Sequence, residues 1–169
     1  MALAIGSKTP TAATLVATYR SAGGDVVILT RRPASMRRHP GQIAFPGGMI
    51  EPSDPTPLAA ALREAGEEVG LRVIEPIEAL ALPQVATLRG DVVIQPFWIR
   101  LGRAPRLRPS PDEVDAILRI PLRDLRTPGA LQSVKHPRRP QEETPAFVWR
   151  GDVIWGTTLR TLRDLLDVI

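Results

Sequence analysis

The chain has 169 residues, 43% of them hydrophobic, with 22 Lys and Arg against 18 Asp and Glu and no cysteine. This length predicts one domain with its own core, and the lack of cysteine excludes a disulfide framework or a thiolate metal centre. No apolar run reaches the roughly 18 residues of a membrane helix, Met1 to Thr11 lacks the pattern of a secretory leader, and a scattered net charge of +4 with 4% aromatic residues disfavours a nucleic-acid surface.

A cytoplasmic protein acting on an anionic small molecule is therefore expected, with a homodimer left open. The domain is read as running over 1–169, with residues 1–11 as a short N-terminal segment expected to be flexible. Ala12 to Tyr19 and Asp25 to Thr30 read as a hairpin across Gly23-Gly24. A cationic loop follows, carrying Arg31, Arg32, Arg37, Arg38 and His39, and leads through a short strand at Ile43 to Phe45 into Phe45-Pro46-Gly47-Gly48.

The next segment predicts a helix over Thr56 to Val69, with Thr56 as N-cap, Pro57 at the first helical position and Gly70 closing the end. At about 100° per residue, Glu67 and Glu68 fall about 60° and 40° to either side of Glu64, so three carboxylates share one face. Leu58, Ala61, Leu62, Ala65 and Val69 make an apolar stripe. Carboxylates massed in this way repel one another unless a cation sits on them, which points to a divalent-metal site built of hard oxygen donors.

Val73 to Leu82 and Val92 to Leu101 read as strands separated by the Arg89-Gly90-Asp91 turn, and Asp112 to Ile120 as a strand ending in Pro121, with a short helix to Leu125. Arg126 to Pro145 reads as a polar loop. Ala146 to Trp149 and Val153 to Trp155 form a last hairpin, and Thr157 or Thr158 is expected to cap a C-terminal helix burying Leu159, Leu162, Leu165, Leu166 and Ile169. Trp98, Trp149 and Trp155 belong to the core on this reading. Glu113, Glu142 and Glu143 are read first as solvated surface groups, with a role as extra ligand or base the alternative. His39 and His136, in proline-containing basic loops, suit contact with an anion or plain exposure.

Gly48, Asp54, Arg63, Glu64, Ala65, Glu67, Glu68, Gly70 and Leu71 resemble the signature box of the Nudix hydrolases, with Asp in place of the first Glu and eight rather than seven residues before Arg63. The longer spacer is expected to lengthen the loop ahead of the helix and to leave the half from Arg63 to Leu71 unchanged. The resemblance implies a Nudix fold of the α/β (α+β) class, a mixed β-sheet sandwiched between α-helices, and a Mg2+- or Mn2+-dependent enzyme that cleaves a phosphoric anhydride. It also implies that Glu67 and Glu68 are metal ligands with the carbonyl of Gly48 close by, that Glu64 is a ligand or the general base, and that Arg63 holds a carboxylate through a forked pair. Glu64, Arg63 and Glu67 are then the candidate catalytic residues, and which glutamate takes the proton from water stays open.

Upstream, Leu29-Thr30, Arg32, Arg37, Gly41 and Phe45-Pro46-Gly47-Gly48 are similar to the motif of the coenzyme A diphosphatase branch, with Pro33 where a small residue is usual. That branch commonly carries the longer spacer too. The likeness implies coenzyme A or acyl-CoA as substrate, cleaved to 3′,5′-ADP and a 4′-phosphopantetheine product, with Arg31, Arg32, Arg37 and Gly47 as candidate substrate-binding residues. Arginine forks suit the phosphates of such a ligand. The alternatives are a Nudix hydrolase of another nucleoside diphosphate derivative (ADP-ribose, NADH or a dinucleoside polyphosphate) and a non-catalytic nucleotide- or RNA-binding module.

Overall fold

Near-continuous apolar runs at the start of the chain predict strands buried on both faces, and the computed structural model, which describes residues 8–37, 39–74, 76 and 78–169, places them at the centre of a mixed sheet. Strand β1 (Ala12–Ser21) turns at Ala22-Gly23 into β2 (Gly24–Arg31), with Ser21 opposite Gly24. Then come β3 (Ile43–Ala44), β4 (Gly47–Met49), α1 (Pro57–Val69), β5 (Glu78–Ala81), β6 (Val85–Ala86), β7 (Val93–Leu101), β8 (Ala116–Pro121) and α2 (Leu122–Leu125). The chain closes with β9 (Leu131–His136), β10 (Arg139–Trp149), β11 (Asp152–Trp155) and α3 (Gly156–Val168).

The main sheet runs β3-β2-β1-β7-β5, with β4 added to β1, β6 to β7 and β8 to β2. Only β1 and β7 pair in parallel among these, in register from Ala12 opposite Ile94 to Tyr19 opposite Leu101. The other edge of β1 is shared: Thr18 to Ser21 pair with β2, and Ala12 to Thr14 pair with β4. The two partners diverge along that edge, and the Gly47-Gly48 strand is set apart from β2 at the point where α1 crosses.

Successive side chains of β1 and β2 enter opposite cores. Leu15 and Ile28 meet Ala60, Ala61, Ala65 and Val69 of α1. Val16, Val27 and Leu29 meet Ile154 of β11 and Leu159, Leu162 and Leu165 of α3. The sheet is thus sandwiched between helices, as the sequence implied, and a second sheet ordered β11-β10-β9 helps α3 cover its far face. Among the described residues no helix is long and apolar enough to cross a membrane.

Helix α1 has the predicted ends. Thr56 Oγ1 accepts from the N–H of Ala59 at 3.1 Å, Pro57 opens the first turn, and Gly70 takes the left-handed conformation at φ 65°. Four other expectations are corrected. The strand read over Val73 to Leu82 is confined to Glu78–Ala81, because Pro76 and Pro83 cannot donate to a ladder. The strand read from Asp112 begins at Ala116, since the N–H groups of Glu113 and Val114 turn back to the carbonyl of Ser110. The region read as a loop from Arg126 to Pro145 contains the β9–β10 hairpin, largely solvated and therefore without the alternation that marks a half-buried strand. Among the described residues no side chain caps α3; Trp155 is its N-cap residue, and the Thr158 hydroxyl donates instead to the carbonyl of Ile43 at 3.1 Å. Of the segment 1–11, residues 1–7 lie outside the described residues.

Candidate active site

The phases of the three glutamates on α1 decide their surroundings. Glu68 lies on the side of the apolar stripe and is carried inward to 5% exposure, whereas the Glu67 side chain, on the other side of Glu64, is 57% exposed. The Glu64 side chain is intermediate at 17%. Glu68 Oε2 accepts from the N–H of Gly47 at 3.3 Å. Burial pushes the Glu68 carboxyl up to about 7, against that backbone N–H and the field of Arg32, while Glu64 and Glu113 push it the same way as burial. Burial also raises Glu64 above the ordinary carboxylate value, and Arg63 opposes this.

Both glycines of the turn are required by close approach. A Cβ at Gly48 would lie 2.4 Å from Oε1 of Glu64, and one at Gly47 would lie 2.4 Å from the carbonyl oxygen of Ala13. Their absence lets the carboxylate of Glu64 rest against the backbone of β4.

Arg63 gathers the acids around the helix entrance. Its Nε and Nη2 donate to the two oxygens of Asp54, each at 3.0 Å, Nη1 donates to Glu64 at 2.9 Å and Glu67 at 3.2 Å, and Nη2 also reaches the carbonyl of Met49. The hydrogen bond from Arg63 holds Asp54 below the usual carboxylate range. The forked pair implied for Arg63 therefore falls on Asp54, to which the sequence assigned no role. The clue was present in the sequence: Asp54 occupies the acid position of the box.

Among the described residues no group of three acidic, histidine or cysteine side chains is gathered closely enough to hold a metal ion as it stands, because Glu64 and Glu67 are drawn to Arg63. The donor set nonetheless fits a hard divalent cation. Its donors are carboxylate oxygens and a nearby carbonyl, and Glu68 is a buried carboxylate supported by one N–H, a group whose charged form a cation would stabilise.

The arginine loop divides between the two faces of the sheet. Arg31 points to the second sheet, where Nε and Nη2 donate to the two oxygens of Asp152 at 3.1 and 2.9 Å and Nη1 donates to Asp115 at 3.3 Å. Arg32, the next residue, faces the α1 side, where its charge lowers Glu68. Its Nε is buried and meets no hydrogen-bond partner among the described residues. Arg37 is exposed, and Arg38 lies outside the described residues.

Glu113 is exposed, and its charge reaches both Glu64 and Glu68. Glu142 and Glu143 lie on β10 with Arg139 and Ser133 as partners. His136, expected to be exposed or in contact with an anion, is buried beside Trp155, and its Nδ1 accepts the N–H groups of Arg138 and Arg139.

Residues 8–141 match the family model described as NUDIX domain. An uncharacterised Nudix hydrolase of Photorhabdus laumondii, NudL, is 35% identical over 146 residues, covering 85% of this chain and 76% of that protein. The NudL of Cronobacter sakazakii is 35% identical over 144 residues, or 82% and 72% of the two chains. Among solved structures, the NUDIX domain of Shewanella oneidensis NrtR, crystallised with ADP ribose, superposes with a TM-score of 0.64 at 17% identity, over 95% of this chain and 89% of that one. A diadenosine tetraphosphate (Ap4A) hydrolase of C. elegans gives 0.53 at 19% identity, over 66% and 80%.

Proposed function

The chain belongs to the Nudix family, whose hydrolases cleave the diphosphate of nucleoside diphosphate derivatives, and on that premise we propose that its substrate is coenzyme A or acyl-CoA, released as 3′,5′-ADP and a 4′-phosphopantetheine product. One observation carries this reading: Gly47 of the upstream coenzyme A motif donates its N–H to the buried Glu68 of the Nudix helix at 3.3 Å, so that the two motifs meet at one carboxylate.

Glu68, Glu64, Glu67 and the carbonyl of Gly48 are assigned to hold Mg2+ or Mn2+, which when bound offsets the charge of the diphosphate and activates a water molecule. Glu64, beside Gly48 and between the phases of Glu67 and Glu68, is assigned as a ligand or as the acceptor of that water's proton. Arg63 is a positioning residue that fixes Asp54, Glu64 and Glu67 relative to one another. Arg32, whose Nε is left without a partner among the described residues, is assigned to the diphosphate. Arg37, in the exposed part of the loop, is assigned to the substrate's anionic surface without a partner among the phosphates. The two carboxylates on Arg31 make it a clamp for the loop rather than a free cation. Gly47 acts through its N–H, which orients Glu68.

The test is a comparison of products from coenzyme A, ADP-ribose, NADH and a dinucleoside polyphosphate, each incubated with Mg2+ or Mn2+. Fastest release of 3′,5′-ADP from coenzyme A is expected. Faster cleavage of another substrate would keep the Nudix chemistry and remove the coenzyme A assignment, and no cleavage of any would remove both.

A further inference from the structure

On the opposite side of the arginine loop from Glu68, a cavity of about 380 Å³ opens between that loop and the second sheet, with Arg31, His39, Gln42, Arg138, Asp152 and Trp155 among its walls. Its volume lies in the range of small-molecule sites, roughly 300–1,000 Å³. None of the α1 glutamates lines it.

We infer that this cavity is a subsite for a phosphate monoester of the substrate, separate from the diphosphate that is cleaved. The inference rests on the coenzyme A reading, because that ligand carries a 3′-phosphate in addition to its diphosphate.

Three features of the walls support an anion there. First, α3 begins at the cavity: its N-cap residue, Trp155, is a wall residue, and among the described residues no side chain accepts from its first turn. A Cβ at Gly156 would meet nothing within 4 Å. An uncapped end of a 13-residue helix presents N–H donors and the positive pole of its dipole.

Second, the Arg138 guanidinium stands 5.8 Å above the Trp155 ring and touches the imidazole of His39. Among the described residues it pairs with no carboxylate, unlike Arg31 or Arg63. The one acid in the wall among the described residues, Asp152, has both oxygens held by Arg31, so its charge is compensated.

Third, His39 is held at φ 57°, an unusual conformation for a residue with a side chain and one that recurs at ligand-binding loops. Gln42 supports it through Nδ1 at 2.6 Å.

The register of β2 links the two sites. Arg31 and Arg32 are neighbours with opposite directions, one on the cavity wall and the other beside Glu68, so the subsites sit back to back across one rim of the sheet. A ligand with its diphosphate at the glutamates reaches the cavity by crossing that rim.

The experiment is calorimetric titration of the wild type and of Arg138→Gln with adenosine 3′,5′-bisphosphate and with adenosine 5′-monophosphate. The wild type is expected to prefer the bisphosphate by roughly tenfold or more, as a charge-assisted contact to one extra phosphate implies, and the variant, with an unchanged circular dichroism spectrum, to lose that preference. Equal affinities in the wild type, or an intact preference in Arg138→Gln, would overturn the subsite. Because neither nucleotide is cleaved by a diphosphatase step at coenzyme A, this result is independent of the turnover assay, in which the coenzyme A reading stands or falls separately.

Discussion

Arg63 donates from Nε and Nη2 to the two oxygens of Asp54 at 3.0 Å each, closing the loop that enters α1. The pair forms although one residue more than usual separates the two positions, so the longer spacer is absorbed in the loop before the helix. Asp54→Ala and Arg63→Ala are each expected to lower the melting temperature measurably. The double variant should lose clearly less than the sum of the two. Additive losses in a thermal-melt cycle would show that the contact contributes nothing of its own.

The two glycines of β4 predict opposite phenotypes. Gly48→Ala directs its Cβ at the mobile end of Glu64 and so should leave the melting temperature within a few degrees while lowering kcat by at least about tenfold. Gly47→Ala meets the backbone carbonyl of Ala13, which has no such freedom, and should destabilise the fold severely. Comparable melting temperatures for the two variants would contradict this distinction.

Much of this arrangement was legible in the sequence. The ends of α1, its carboxylate face and the turn at Gly47-Gly48 depend on local chemistry: a capping hydroxyl, a proline and glycines at fixed positions. The β9–β10 hairpin was not legible, because its residues are solvated and Pro140 and Pro145 interrupt the pattern. Arg138 and His39 were separated by 99 positions, and nothing local announces that they meet. The sequence grouped Arg31 with Arg32 in one cationic loop, and assigning Arg31 to Asp152 required knowledge of how the second sheet packs.

Glu68 gives the metal-free protein a pH dependence of stability. Its carboxyl stands at about 7 in the fold against 4.5 unperturbed, so the folded state holds the proton more tightly. This contribution to stability is fully present below about pH 4.5 and is lost as pH rises to about 7, amounting to roughly 3 kcal/mol at most. Mg2+ or Mn2+ requires the ionised form, so the cation should raise the melting temperature more at pH 8 than at pH 5.5. Glu68→Gln should abolish much of both effects in differential scanning fluorimetry. An equal cation shift at both pH values in the wild type would argue against Glu68 as a ligand.

The two neighbouring arginines should separate stability from binding. Arg31→Ala leaves the buried side of Asp152 without its partner and is expected to lower the melting temperature by several degrees. Arg32→Ala should change the melting temperature little and raise KM for coenzyme A roughly tenfold. Melting curves and steady-state kinetics on both variants check this, and the reverse pattern would exchange their roles.

Metal-dependent cleavage through Glu68 is tested by the rate of 3′,5′-ADP release from coenzyme A by the wild type and by Glu68→Gln, each with Mg2+ and after chelation. Rapid release is expected only from the wild type with the cation, with a loss of at least about a hundredfold in the variant despite an intact fold. Release that survives both chelation and Glu68→Gln would contradict that dependence.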